Sequence, residues 1–187
     1  MTVLSGEQFR VISRLSDDVL YPEAVAFVNR QVRELHRDAL LNSQANGLLN
    51  IATSLKYSEL QNYVIHQRTR DWQPSKRDIG AFYEDLERYL NQLQRTRLQQ
   101  EFHLLSSGLS PEEGRREREE VLAYLALEFI QHLVAENGIW AAQQEAQRQQ
   151  NRGGNRGQLR NQGRSDAPNR MNNPGRPNNQ NRADRRS

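Results

Sequence analysis

Across residues 1–147 the apolar side chains recur every three or four positions, and no run alternates apolar with polar. Val25, Val28, Val32, Leu35 and Ala39 keep that rhythm, with Arg30, Arg33, Glu34, Arg37 and Asp38 between them. One turn of helix takes about 3.6 residues, so this spacing gathers the apolar groups on one face. It predicts an amphipathic helix of about four to five turns. A half-buried strand needs a period of two, which the chain does not offer.

The same pattern recurs along the chain, with punctuation at its ends. Ser5 and Gln8 have the spacing of a capping box, ahead of Phe9, Ile12, Leu15 and Val19. Tyr21-Pro22 is expected to end that segment, with Pro22 opening the next helix. Residues 42–54 carry Leu48, Leu49, Ile51 and Ala52 and predict a short, largely buried helix. Ser58 can cap a further helix with Leu60, Tyr63 and Val64, which Pro74 terminates. Beyond Ser75, Ile79, Phe82, Leu86, Leu90 and Leu93 share one side of a longer helix.

Ser110-Pro111-Glu112-Glu113 is the clearest start: a capping hydroxyl, a proline at the first position and two acids at the positive dipole end. Val121, Leu122, Leu125, Phe129, Ile130 and Leu133 follow, and Asn137-Gly138 closes or dents that helix. Tyr57, Tyr63, Tyr83, Tyr89 and Tyr124 stand in register with apolar neighbours and are expected in the core or at its rim. The expected fold class is all-α, a compact bundle of five or six helices.

Charge divides the chain in two. Residues 148–187 hold ten Arg, no Lys and two acids, Asp166 and Asp184, a net +8 within a total of +3. Residues 1–147 keep 16 basic and 21 acidic residues, a net −5. Leu159 and Met171 are the sizeable apolar groups of the last segment, too few to offset the entropy of ordering it. The reading is a helical bundle domain over 1–147 and a disordered Arg/Asn/Gly-rich basic tail over 148–187.

Absent residue types narrow the chemistry. Without cysteine there is no disulfide framework, no thiolate metal site and no Cys nucleophile. Residues 1–7 lack a basic stretch followed by an apolar run, so no signal peptide is expected, and the apolar runs are far shorter than a membrane span. A soluble, cytoplasmic protein is the expectation. His36, His66, His103 and His132 are scattered. Glu128 and His132 lie four apart, a spacing that can donate to a metal in a bundle, but no second such motif exists. No metal, no cofactor and no catalytic residue are expected, and His132 reads as a satisfied, half-buried histidine. Glu112-Glu113 and Glu117-Glu119-Glu120, interleaved with Arg115, Arg116 and Arg118, read as a solvated face with ion pairs four apart. No Gly-rich loop joins a strand to a helix. The chain is not expected to be an enzyme.

The signals for a polyanion are stronger. Arg148, Arg152, Arg156, Arg160 and Arg164 step by four through Gly, Asn and Gln, and Arg170 and Arg176 continue the composition. A guanidinium bridges phosphate oxygens and stacks on bases, so such a segment suits nucleic acid held electrostatically, with strong salt dependence. A solubilising or partner-docking tail is the other reading. In the body, His66, Arg68, Arg70, Trp72, Lys76 and Arg77 form a cationic cluster around an aromatic. It is either a grip on a sugar-phosphate backbone, with Trp72 available to stack, or a solvated helix end with Trp72 folded into the core. Arg30, Arg33 and Arg37 read as an ordinary exposed face.

Three stretches carry a resemblance: Asn46-Gly47-Leu48-Leu49-Asn50-Ile51-Ala52, Tyr63-Val64-Ile65-His66-Gln67-Arg68 and Phe82-Tyr83-Glu84-Asp85-Leu86. Over residues 41–93 the chain resembles the small all-helical subunits of type III CRISPR effector complexes. That resemblance implies a non-catalytic subunit that stacks along a ribonucleoprotein filament and contacts the guide–target RNA backbone. Residue by residue it assigns backbone contact to Arg68, Arg70, Lys76 and Arg77. The expected function is thus an RNA-binding helical subunit of a ribonucleoprotein. Its partners would be RNA, single-stranded or as a guide–target duplex, and other protein subunits, with self-association possible and no membrane. The alternative is a protein-interaction adaptor whose basic tail docks on an acidic partner or tethers nucleic acid.

Overall fold

The computed structural model describes the backbone of residues 4–161 and the side chains of 4–150 other than Ser75. Every regular element among the described residues is helical. None of these helices is long and apolar enough to cross a membrane. The chain divides into a unit Met1–Arg148 and a unit Gln149–Ser187.

In the first unit, α1 (Gly6–Leu15) opens with the expected capping box, Ser5 Oγ accepting from Gln8 N–H at 3.2 Å and Gln8 Oε1 accepting from Ser5 N–H at 2.7 Å. Pro22 stands in the first turn of a new α-helix, as expected, but the chain stays helical across the junction. A π turn, Ser16–Leu20, joins α1 to α2 (Tyr21–Asn29), and Tyr21 N–H reaches back five residues to the Ser16 carbonyl. Pro22 has no N–H to give, and its ring crowds the carbonyl four residues back in a regular helix. The wider π turn absorbs that conflict at a helix junction, where sequence punctuation alone predicts a stop.

A second π turn, Arg30–Glu34, ends this arm, and His36 adopts φ 52°. The helix expected to reach Ala39 therefore stops five residues early, leaving Leu35 40% exposed and residues 35–41 as a loop. Then come α3 (Asn42–Ala52) and α4 (Tyr57–Thr69), whose first residue precedes Ser58 and whose cap position, Lys56, makes no side-chain cap. Helix α5 (Arg77–Gln92) packs along α4, and a third π turn, Leu93–Arg97, leads into α6 (Leu98–Gln100).

Helix α7 (Pro111–Asn161) supplies the centre of the core. Val121, Leu122 and Ala123 are all buried, and three consecutive helical residues span about 200° of the circumference. They cannot share one face, so α7 is surrounded here by α1, α2, α4 and α5 through residues such as Ile12, Val28, Tyr57 and Leu86. Burying each Leu- or Phe-sized side chain contributes about 1.5–3 kcal/mol before the entropy of ordering is counted. All five tyrosines placed in the core or its rim are there: Tyr57 and Tyr83 are buried, and Tyr63, Tyr89 and Tyr124 pack against the cluster.

Asn137-Gly138 neither closes nor dents α7. In the second unit the backbone of 149–161 is still helical, although Gly153, Gly154 and Gly157 each cost about 1 kcal/mol relative to Ala in a helix. Extending an existing helix avoids the cost of nucleating one, a term that composition alone does not display. The first part of the segment expected to be disordered is therefore helical, and 162–187 lies outside the described residues.

Candidate nucleic-acid interface

The six candidate residues of the body cluster where α4 turns into α5. Helix α4 ends as Arg70 takes up extended geometry (ψ 140°), and Gln73, held extended by the proline after it, leads into the 3-10 turn Pro74–Lys76. His66, Arg68, Arg70, Lys76 and Arg77 are exposed. Trp72 is half-buried: its Nε1 donates to the Gln67 carbonyl at 2.7 Å, and its ring edge lies over Gly80 of α5. A Cβ on Gly80 would stand 3.1 Å from Trp72 Cδ1, so glycine permits that approach. The Arg70 guanidinium covers the ring at 4.8 Å. Trp72 packs against the core while staying half-buried, which is nearer to the folded-back of its two readings.

The cations here differ in their engagement. Arg68 Nη1 lies 2.7 Å from Glu87 Oε2, close in charge but without the alignment of a hydrogen bond. Lys76 and Arg77 have no carboxylate partner among the described residues. Three arginines elsewhere on the body are held by carboxylates. Arg37 bonds to Asp85 at 3.0 Å, Arg97 to Glu23 at 2.6 Å and Arg116 to Glu112 at 2.6 Å. Arg33 lies over Trp140 at 4.6 Å.

Loop 35–41 links this hairpin end to α7. Asn137 holds the loop by both backbone groups of Leu40, accepting from its N–H at 2.8 Å and donating to its carbonyl at 3.0 Å. Gln144 Oε1 accepts from Ala39 N–H at 3.2 Å. The pinned loop projects Asp38, whose Oδ1 accepts from Arg148 Nη2 at 2.8 Å. Asp38, Ala39 and Leu41 border two clefts. One, of about 430 Å³, runs along α7 past Ala141, Ala142 and Arg148. The other, of about 180 Å³, faces Lys76, Asp78 and Ile79 at the start of α5. Arg148 and Lys76, read separately from the sequence as parts of a tail and of a patch, thus flank one acidic residue.

Arg152, Arg156 and Arg160 lie on helical backbone, while Arg164, Arg170 and Arg176 lie outside the described residues. Asp38 was not among the sequence candidates. It sat in a stretch read as helix, and only the early stop at Glu34 turns it toward α7 and α5.

Three other polar clusters are structural in form. Ser16 Oγ is 2.7 Å from Glu128 Oε2 and 2.8 Å from His132 Nε2. A carboxylate can only accept, so the hydroxyl proton goes to Glu128 and His132 Nε2 donates to Ser16. This differs from a hydrolytic triad, in which the imidazole accepts the serine proton and the acid holds its other nitrogen. Among the described residues no three His, Cys, Asp or Glu side chains gather as a metal site.

Glu117 corrects the reading of its neighbourhood as a solvated face: it is 2% exposed and accepts from Gln8 Nε2 at 2.7 Å and Ser106 N–H at 3.0 Å. The third cluster joins Tyr89 OH to Glu23 at 2.7 Å. Burial and the Glu23 carboxylate push the Tyr89 phenol far above its ordinary range.

No family model, curated protein or solved structure matches the chain.

Proposed function

We propose that this protein is a non-catalytic, RNA-binding helical subunit of a larger ribonucleoprotein. It would hold the sugar-phosphate backbone with the α4–α5 hairpin end and with the arginines of α7. The observation that carries the reading is the convergence on loop 35–41, where the exposed Lys76 and Arg148 both border Asp38. Two cationic groups remote in sequence then serve one backbone contact, and the arginines that follow in sequence, Arg152, Arg156 and Arg160 among them, would add charge for the same polyanion. Trp72 is committed to Gln67 and Gly80, so recognition runs through phosphates and not through stacked bases. The resemblance to the small subunits of type III CRISPR effectors agrees with this role and suggests a guide–target duplex as the bound form.

A second reading has its own support. Residues 1–147 carry a net charge of −5, which disfavours a polyanion over most of the body and suits a protein-docking adaptor. Fluorescence anisotropy with a labelled RNA separates the two. Salt-sensitive binding weakened by Lys76→Glu and Arg148→Glu supports the first, and absence of RNA binding by the full chain supports the adaptor.

A further inference from the structure

We propose that Asp38 makes the interface selective for RNA over DNA by accepting a hydrogen bond from a ribose 2′-hydroxyl. The inference rests on the RNA-binding reading above and names the chemical feature that the cleft reads.

A carboxylate among phosphate-binding cations is a handicap unless the ligand supplies a donor. Asp38 is exposed, stands between Arg148 and Lys76, and sits on a loop whose next two residues are fixed by Gln144 and Asn137. It is therefore a preorganised acceptor. Phosphate oxygens also only accept, so a backbone drawn onto Arg148 and Lys76 sets acceptor against acceptor at Asp38. The sugar is the part of that backbone that can answer. A ribose carries a 2′-hydroxyl donor, and a deoxyribose has only hydrogen there.

RNA thus replaces the Asp38–Arg148 bond with two new ones, phosphate to Arg148 and hydroxyl to Asp38. DNA breaks the same bond and leaves the carboxylate facing phosphate. Asp78, which lines the smaller cleft, adds to the penalty for a backbone without donors. The floor of small side chains, Ala39, Ala141 and Ala142, gives a sugar room to approach.

The experiment titrates three labelled single strands of one sequence, RNA, DNA and 2′-O-methyl RNA, against the full chain, Asp38→Ala and Asp38→Asn. The 2′-O-methyl strand keeps the ribose pucker and removes the donor. Wild type is expected to prefer RNA over both other strands by on the order of tenfold, the scale of one hydrogen bond to a charged group. Asp38→Ala should bring the ratio close to one, and Asp38→Asn, which keeps an acceptor oxygen without the charge, should lower it part of the way, both chiefly by tightening DNA. Equal affinity of wild type for RNA and 2′-O-methyl RNA, or an RNA preference unchanged in both variants, overturns the proposal and leaves the RNA-binding reading standing. Failure of the wild type to bind any strand overturns that reading as well.

Discussion

Asn137 and Leu40 exchange two hydrogen bonds across 97 positions of sequence, the amide of one closing on both backbone groups of the other. Asn137 is 1% exposed and Leu40 2%, so neither backbone group can turn to water instead. Asn137→Ala would leave a buried N–H and a buried carbonyl unpaired, at about 2–4 kcal/mol for the two. The expected outcome is a lower denaturant midpoint with fast hydrogen exchange at the Leu40 amide. Exchange there no faster than in the wild type would show that the loop has another anchor.

Asp85 links the end of the first arm to α5. Burial raises its pKa, but hydrogen bonds from Gln31 and Arg37 and the charges of Arg37 and Arg88 outweigh that and hold it below the ordinary carboxylate range. A depressed folded-state pKa contributes stability that is present above the unfolded value, about 3.9, and is lost as pH falls through the folded one. Resistance to urea should therefore fall below about pH 4, and Asp85→Asn should be less stable than wild type at pH 7 but show a shallower acid loss. Parallel acid limbs for the two proteins would assign the loss to other carboxylates.

Gly47 faces the Tyr63 hydroxyl, which would lie 2.7 Å from an added Cβ, and the Tyr63 ring is set edge-on against Tyr83 with centroids 6.1 Å apart. Gly47→Ala gains about 1 kcal/mol of helix propensity and is expected to lose about 2 kcal/mol to the displaced ring. Thermal unfolding should report a net destabilisation. A stabilised variant would mean that Tyr63 moves aside at little cost.

Ion pairing grades the hairpin cations. Arg68 is engaged by Glu87, whereas Lys76 and Arg77 are not engaged among the described residues. Lys76→Ala and Arg77→Ala should each lower the log–log salt slope of RNA binding by about 1, and Arg68→Ala should lower it by less. A larger effect at Arg68 would mean that the Glu87 contact opens on binding.

What the sequence disclosed follows from how local each signal is. The Ser5–Gln8 capping box and the Ser110-Pro111 start depend on neighbours three residues away, and both form as read, Ser110 Oγ accepting from Glu113 N–H at 3.3 Å. The tyrosines follow from periodicity. The errors needed a local irregularity in one case and partners distant in sequence in the others. Pro22 reads as a stop until a π turn accommodates it. Glu117 reads as solvated until Gln8 and Ser106 supply its donors. Asn137 reads as a helix end until loop 35–41 arrives beside it. The Arg68–Arg77 patch could be picked out by composition, but its approach to Arg148 through Asp38 depends on that loop, whose course periodicity misread as helix.

The measurement that bears most directly on RNA binding shared by two cationic groups is an anisotropy double-mutant cycle. It compares the full chain, Lys76→Glu, Arg148→Glu and the double variant on one labelled RNA at two salt concentrations. Contact of both residues with the same backbone predicts that each substitution weakens binding and lowers its salt dependence, with the double variant losing more than either single one. Affinity and salt slope unchanged by both substitutions, or no RNA binding by the full chain, would contradict it.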